Sequence, residues 1–366
     1  MKVYYIAEAT IPSISAYSQH VMQMSSQISK KKRFKLITIN QDKSKLTQVK
    51  NIFKFYDVSN FDYKIINFFN IKFFNKLILI YTILKEVKLF ESKLFISRSP
   101  ISSLILLMLN FKVIVELHHP FNSKLFLKIF NVFLRNKNLI KIVVISHNLK
   151  RYLINNTNGN FKDKICILPD SANKIKYNFT RSKIKYSNKN IGYVGSFYKG
   201  RGIELIKKLA LILKDHKFYL IGDYNSYKSK ILNYPKNIYF LGFKNQYDLK
   251  KYYHIFDIVL APYDDDVRVH GDKLDTSKFM SPLKIFEYMS HKKIILSSNN
   301  EVLREVLKHN LNSILCNYKN PIEWAQKIKM VTSNNSLKKK LSTQAYYHFR
   351  SNYTWEIRSS KILDLI

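Results

Sequence analysis

Lys284 and Glu287 are the charged side chains of the stretch SPLKIFEY (281–288), three residues apart and therefore on one face of a helix. Ser281 suits a helix N-cap, and Pro282 suits the first helical position, where its missing N–H costs nothing. The amides of Leu283, Lys284 and Ile285 would then point forward without partners, and free N–H groups at the positive end of a helix make an anion site. With the Lys284 ammonium added, such a start could hold a phosphate while Glu287 reaches past it to a sugar diol. The plain alternative is a capped helix with Lys284 and Glu287 as an ion pair on a solvated face. From spacing alone the plain helix is the preferred reading.

Two other places have chemistry-bearing residues. GYVGSFYKGRGIELI (192–206) reads as strand, turn and helix, with Gly195, Gly200 and Gly202 in the turn and Lys199 and Arg201 supplying charge. The spacing is not G-x-G-x-x-G, so a dinucleotide fingerprint is not supported, but backbone can approach a phosphate there. His118 and His119 close an apolar run (112–117), with Glu116 two residues back. Ligands of open α/β sheets bind beyond the carboxyl ends of strands, so the functional and structural readings of this pair are balanced. The acidic loop 264–275 contains a formal D-x-D but mixes in Lys and Arg, and metal binding is not expected from it.

The elements that must position these residues alternate. Strands are expected at 3–7, 34–40, 93–98, 112–117 and 142–146, with helices at 17–30, 75–89 and 100–110 between them. After a polar Lys/Asn-rich stretch (176–190), expected to be a linker, the alternation restarts: strands at 217–221, 237–241, 258–262, 293–297 and 313–316, helices at 245–254, 301–309 and 321–328. This βαβ pattern predicts an α/β chain of two parallel sheets. The run 121–141 has Phe and Leu at helical spacing, five basic residues and no acid. It fits an ordinary core helix with a basic face better than a helix lying on an anionic membrane, which is kept as the alternative.

At 366 residues the chain has room for two domains, each with its own core. Its 62 Lys+Arg against 25 Asp+Glu give +37, which by itself suggests nucleic acid, an anionic membrane or a phosphorylated ligand. The charge is spread evenly, however: residues 1–170 have 27 basic and 9 acidic side chains, the remainder 35 and 16, as an A+T-rich coding sequence would produce. Cys166 and Cys316 are the only cysteines and fit a reducing compartment. The opening MKVYYIAEAT reads as a first strand and not a signal peptide, and no run reaches the ~20 apolar residues of a membrane span.

Together these segments resemble the retaining glycosyltransferases of family 4, the "glycosyl transferases group 1" proteins. GYVGSFYKGRGIELI is similar to their G-R-L-x-x-x-K-G turn, YFLGFKNQYDLKKYYHIFDIVLAPY to the strand–helix–strand unit around the donor base, and SPLKIFEYMSHKKIILSSNNEVLREVL to a common subgroup motif. ISRSP, VIVELHHPF, VVISHNLKRYL and LPDSAN fall in the expected order in the first half. The resemblance implies a GT-B fold, two Rossmann-like domains facing across a cleft. It divides the chain into an acceptor-binding domain (1–175), the linker (176–190), a nucleotide-sugar-binding domain (191–345) and a terminal helix (346–366) that crosses back onto the first domain.

Residue by residue, it implies that Glu287 bonds the donor ribose, that Lys284 and Arg201 bind the diphosphate with help from amides near Gly195 and Ser281, and that His118 is the active-site histidine near the donor sugar. Ser196 replaces the usual Arg after the first glycine, and Phe279 replaces the first Glu of the E-x7-E motif, a contact that Asp275 or a backbone amide would have to supply. The implied activity is retaining, metal-independent transfer of a hexosyl or related sugar, without a cofactor, from a nucleotide-sugar to a glycan or lipid-linked acceptor in cell-surface polysaccharide assembly. The implied location is the cytoplasm, peripheral to the inner face of the membrane. A nucleotide-sugar epimerase or isomerase on the same fold and a non-catalytic basic binding protein are the alternatives. No nucleic-acid-reading motif is present, so nucleic acid is not an expected partner.

Overall fold

The computed structural model describes residues 1–40, 49–67, 72–87, 93–121, 123–157, 161–175, 189–224, 233–268 and 275–366. Except for Lys189 and Asn190, the expected linker lies outside the described residues. The chain forms two compact units, residues 1–169 with 355–366, and residues 170–354.

The first unit is built on β1 (Lys2–Thr10), β2 (Arg33–Asn40), β3 (Tyr63–Asn67), β4 (Lys93–Ser97), β5 (Lys112–Leu117), β6 (Leu139–Val144) and β7 (Ile165–Ile167). They form one parallel sheet in the order β3-β2-β1-β4-β5-β6-β7. β1 is central, Tyr5 pairing with Leu36 on one side and Ile96 on the other. A strand covered on both faces must be apolar throughout, and Val3 to Ala7 are all buried. The helices are α1 (Ala16–Ser29), α2 (Ile52–Tyr56), α3 (Lys72–Val87), α4 (Pro100–Met108), α5 (Lys124–Phe133) and α6 (His147–Asn156). Ser15, Ser99 and Ser146 cap α1, α4 and α6, each accepting an N–H three residues on.

The second unit repeats the plan with β8 (Asn190–Val194), β9 (Lys217–Ile221), β10 (Ile238–Gly242), β11 (Ile258–Ala261), β12 (Ile294–Ser298) and β13 (Ile314–Cys316), parallel in the order β10-β9-β8-β11-β12-β13. Its helices are α7 (Ile203–Ile212), α8 (Gln246–Tyr253), α9 (Leu283–Ser290), α10 (Pro321–Ser333) and α11 (Asn335–Asn352). Alternate strand residues serve opposite faces: Val194, Val259, Ala261 and Ile295 join one core, Ile191, Tyr193, Ile258, Leu260 and Leu296 the other. In both sheets the winding reverses beside the first strand, between β1 and β4 and between β8 and β11, the switch points where Rossmann-type sheets place ligands.

Two expected helices differ. At 301–309 only a 3-10 turn (Leu303–Glu305) forms, because the Asn312 side chain accepts from Lys308 N–H and donates to Val306 C=O, taking up groups that a continuing helix would use. The terminal run 346–366 is broken: Tyr353 C=O accepts the N–H of Ala172, which also bridges Thr354, and a new helix, α12 (Trp355–Leu363), then begins in the first unit. Among the described residues no helix is long and apolar enough to cross a membrane.

Candidate functional site

In the second unit the switch point is lined by the turn after β8, the segment after β11 and the start of α9. Gly195 leaves β8 at φ 148, a conformation that demands glycine, and a Cβ there would stand 2.6 Å from Lys284 Nζ, so the lysine end lies close beneath it. Lys284 is turned inward beneath this glycine. It is 8% exposed, its ammonium 3.9 Å from the centre of the Tyr193 ring and 5.1 Å from that of Tyr263, and Nζ has no hydrogen-bond partner among the described residues. Burial, with the charge of Arg201 adding to it and Glu287 opposing, holds its pKa well below the ordinary lysine value. Arg201 shares the Tyr263 ring, its guanidinium carbon 5.4 Å from the centre; Nη2 donates to Arg268 C=O at 3.4 Å, and buried Nε has no acceptor among the described residues. Two cations thus face one ring with unspent donors, an arrangement suited to an anion with several oxygens.

Glu287 faces another way. Its Oε1 accepts from Gln246 Nε2 at 2.9 Å and its Oε2 from the Tyr253 hydroxyl at 3.1 Å, both on α8. Burial raises its pKa, while these two donors and Lys284 pull it down. No ion pair joins Lys284 and Glu287 among the described residues, so the plain reading of an exposed i,i+3 pair is not what forms; the lysine serves the glycine turn and the carboxylate serves α8.

Ser281 corrects the sequence reading. The N-cap of α9 is Pro282, with no side-chain cap bond, and Ser281 Oγ instead accepts the N–H of Asp170 at 2.9 Å. The Ile285 amide, expected to be free, bonds Pro282 C=O at 3.0 Å. Ser196 stands at the head of the glycine turn, its C=O held by the Tyr193 hydroxyl at 2.7 Å. Asp275 is engaged locally: Oδ1 accepts from Val267 N–H and Ser277 N–H, Oδ2 from the Ser277 hydroxyl. In the acidic loop Asp266 pairs with Arg268 and with Lys199 at 2.9 Å, and Asp265 accepts the Tyr318 hydroxyl at 2.9 Å.

The first unit carries a second polar centre, at the carboxyl end of β5. Glu116 is 1% exposed; its Oε1 lies 2.9 Å from His118 Nε2, 3.0 Å from His20 Nε2 and 2.6 Å from Arg358 Nη2, and its Oε2 accepts the Tyr5 hydroxyl at 2.9 Å. Burial alone would raise its pKa, but Arg358, His20 and His118 together hold it well below the carboxylate range. His118 is pushed the other way, down to about 3, by burial and the nearby Arg98 against the pull of Glu116, so its ring is neutral at ordinary pH. His20 sets its ring edge-on to His118 and to Trp355, with centroids 4.8 and 5.0 Å away. His119 is exposed. The ligand atoms of His20, Glu116 and His118 all lie within 4.8 Å of one another, a spacing open to a metal ion, although the guanidinium of Arg358 already meets the shared oxygen.

The structure brings Gly195, Arg201 and Lys284 together, sets Glu287 against α8 and sets His118 against Glu116; their local spacing gave no sign of the side chains they meet there, Tyr193, Tyr263, Gln246, Tyr253, His20, Tyr5 and Arg358. For Arg358 a signal existed: Trp355, Arg358 and Ile362 share one helical stripe, and an arginine in such a stripe needs a buried partner.

Comparison with known proteins bears on both units. A glycosyltransferase of Methanocaldococcus jannaschii, itself uncharacterized, is 26% identical over 237 residues, 59% of this chain; the chain spans 57% of that relative's length. Of solved structures, Anabaena Alr3699/HepE in complex with UDP matches with a TM-score of 0.73 at 12% identity, covering 100% of this chain and 99% of that one. A glycosyltransferase of Rickettsia africae matches at 0.74 and 18%, covering 100% and 97%. These likenesses establish the fold, two Rossmann-like domains of the GT-B class. Residues 188–334, which include Gly195, Arg201, Lys284 and Glu287, match the family described as "Glycosyl transferases group 1", and in that segment the resemblance read from the sequence is confirmed.

Proposed function

We propose that this chain is a retaining glycosyltransferase that moves a hexosyl or related sugar from a nucleotide-sugar to a glycan or lipid-linked acceptor. The observation that carries the reading is the pair of cations that share the Tyr263 ring at the switch point of the second sheet, Lys284 beneath Gly195 and Arg201 from the turn that follows it. When a nucleoside diphosphate leaves a sugar, negative charge grows on its β-phosphate, and preorganised cations with unspent donors stabilise that charge without reorganising. Glu287, held by Gln246 and Tyr253, presents a carboxylate for the two ribose hydroxyls. In this reading Ser196 leaves the phosphate site one charge short of the family pattern, and Phe279 leaves the sugar contact to other groups. His118 is assigned to the chemistry of the sugar. The charges on Lys284 and Arg201 do the work a divalent ion does in other transferases, so the reaction is assigned as metal-independent and cofactor-free.

The acceptor side rests on the first unit. Ile129 and Val132 on α5 are exposed, at 41% and 73%, in a stretch (117–162) without a single acidic residue. That composition supports work at an anionic membrane surface, on the cytoplasmic face, in polysaccharide assembly.

The test is to incubate the protein with UDP- and GDP-sugars, with and without lipid-linked and glycan acceptors, and to identify products and anomeric configuration by NMR. Transfer with retention supports the reading. Isomerisation of the donor without acceptor would replace it by an epimerase, and salt-sensitive oligonucleotide binding with no donor turnover would replace it by a binding protein.

A further inference from the structure

Glu116 sits on β5, and its carboxylate gathers groups from four parts of the first unit: Tyr5 from β1, His20 from α1, His118 from the end of its own strand and Arg358 from α12. Arg358 is itself fixed, Nε donating to Pro169 C=O at 2.9 Å and Nη2 also to Leu168 C=O at 3.2 Å. The side chains of Glu116 and Arg358 are 0% and 1% exposed, whereas that of His118 is 11% exposed and reaches the surface. A buried carboxylate paired with a guanidinium stays ionised and can only accept, so the His118 nitrogen 2.9 Å from it must carry the proton. A neutral imidazole protonated at Nε2 has its lone pair at Nδ1.

We propose that Glu116, anchored by Arg358 and Tyr5, is a positioning residue that locks His118 in the Nε2–H tautomer and so presents Nδ1 as an acceptor for a substrate hydroxyl. It rests on the assignment of His118 to the sugar chemistry. Arg358 balances the charge of Glu116, so the imidazole need not take up a proton to satisfy the carboxylate. The last helix of the chain therefore sets the electrostatics of a histidine 240 residues earlier, through a carboxylate it touches directly.

The experiment uses the full chain labelled with 15N-histidine. Long-range 1H–15N correlation, with the His118→Asn variant to identify the ring, reads the tautomer of His118 directly. Glu116→Gln alone would strand a buried guanidinium, so it is combined with Arg358→Met, which removes both charges; Glu116→Asp, which keeps the charge but withdraws the oxygen, is the second variant. The expected results are a pure Nε2–H tautomer in the wild type, a mixture of tautomers in both variants, and kcat lowered about 10–100-fold, the usual cost of losing a group that orients a functional histidine, with the Kd for UDP unchanged within about twofold. An Nδ1–H tautomer in the wild type, an unchanged tautomer in a folded variant, or stoichiometric Zn2+ uptake that shifts both His20 and His118 would overturn the proposal. The tautomer is read without turnover. A wild type with the expected tautomer and no transferase activity would count against the functional reading alone.

Discussion

Replacing Lys284 by methionine should make the protein more stable and worse at binding nucleotide. The side chain is buried under Gly195 with its ammonium on two aromatic rings and no hydrogen-bond acceptor. An unsatisfied buried polar group costs about 1–3 kcal/mol, of which ring contacts return about 0.5–2. Methionine fills the volume without that cost, so a net gain of about 1 kcal/mol is expected, raising Tm by roughly 2–4 °C for a unit of this size. In binding the sign reverses. A charge-assisted hydrogen bond to phosphate is worth about 1.5–3 kcal/mol, so UDP should bind about 10–150-fold more weakly. The pH dependence adds a third readout. Because the folded-state pKa of Lys284 is depressed, the unfolded chain binds more protons between that pKa and 10.5, and this residue contributes rising stability as pH rises through the window. The Met variant should lack that slope, so its Tm advantage should shrink as pH rises through that window towards 10.5. Scanning calorimetry and UDP titration of both proteins measure all three. A variant with lower Tm and wild-type UDP affinity would refute the idea that Lys284 is held in reserve for an anion.

Gly195→Ala meets both a φ of 148 and an Nζ 2.6 Å from the new Cβ, so it should destabilise by about 1–3 kcal/mol and also displace Lys284, lowering Tm and UDP affinity together; thermal melts and UDP titration check both. Glu287→Ala removes the acceptor shared by Gln246 and Tyr253 and should weaken UDP several-fold or more, with a smaller loss for 2′,3′-dideoxy-UDP, as calorimetry would show. Dialysis against EDTA should leave donor turnover within about twofold if Lys284 and Arg201 supply the charge; abolition, and rescue by a divalent ion, would reassign it.

The inner strands of both sheets were legible in the sequence because they are short apolar runs separated by amphipathic helices, but the edge strands β3 and β7 of the first sheet were not expected: β3 buries only Ile66 of its five residues and β7 is three residues long, so neither makes a clear apolar run. The glycine turn and SPLKIFEY were legible as well, since each places its groups within a few residues of one another. What local spacing could not show is where a side chain turns. Lys284 and Glu287 share a helix face, yet one goes to Tyr193 and Tyr263 and the other to α8, because a Cβ-less Gly195 opens a slot on one side and Gln246 and Tyr253 offer donors on the other. Ser281 was read as a cap by the same local logic, but the Asp170 amide claims its hydroxyl. The Glu116 centre was hidden for a different reason: Arg358 lies 242 residues away, and no periodicity connects β5 to a helix at the far end of the chain.

The discontinuity of the first unit has a consequence for biosynthesis. When Glu116 is added to the chain, the guanidinium that neutralises it has not been made, and residues 117–358 must follow; at roughly 5–20 residues per second this takes on the order of 10–50 s. During that interval a carboxylate destined for the interior has no cation, a deficit worth about 3–5 kcal/mol once the site is closed. The second unit, continuous from Asp170 to Thr354, waits for nothing downstream. The domain translated second is therefore the first able to complete its fold, and the opening half of the chain remains a nascent client, closed only when Arg358 arrives.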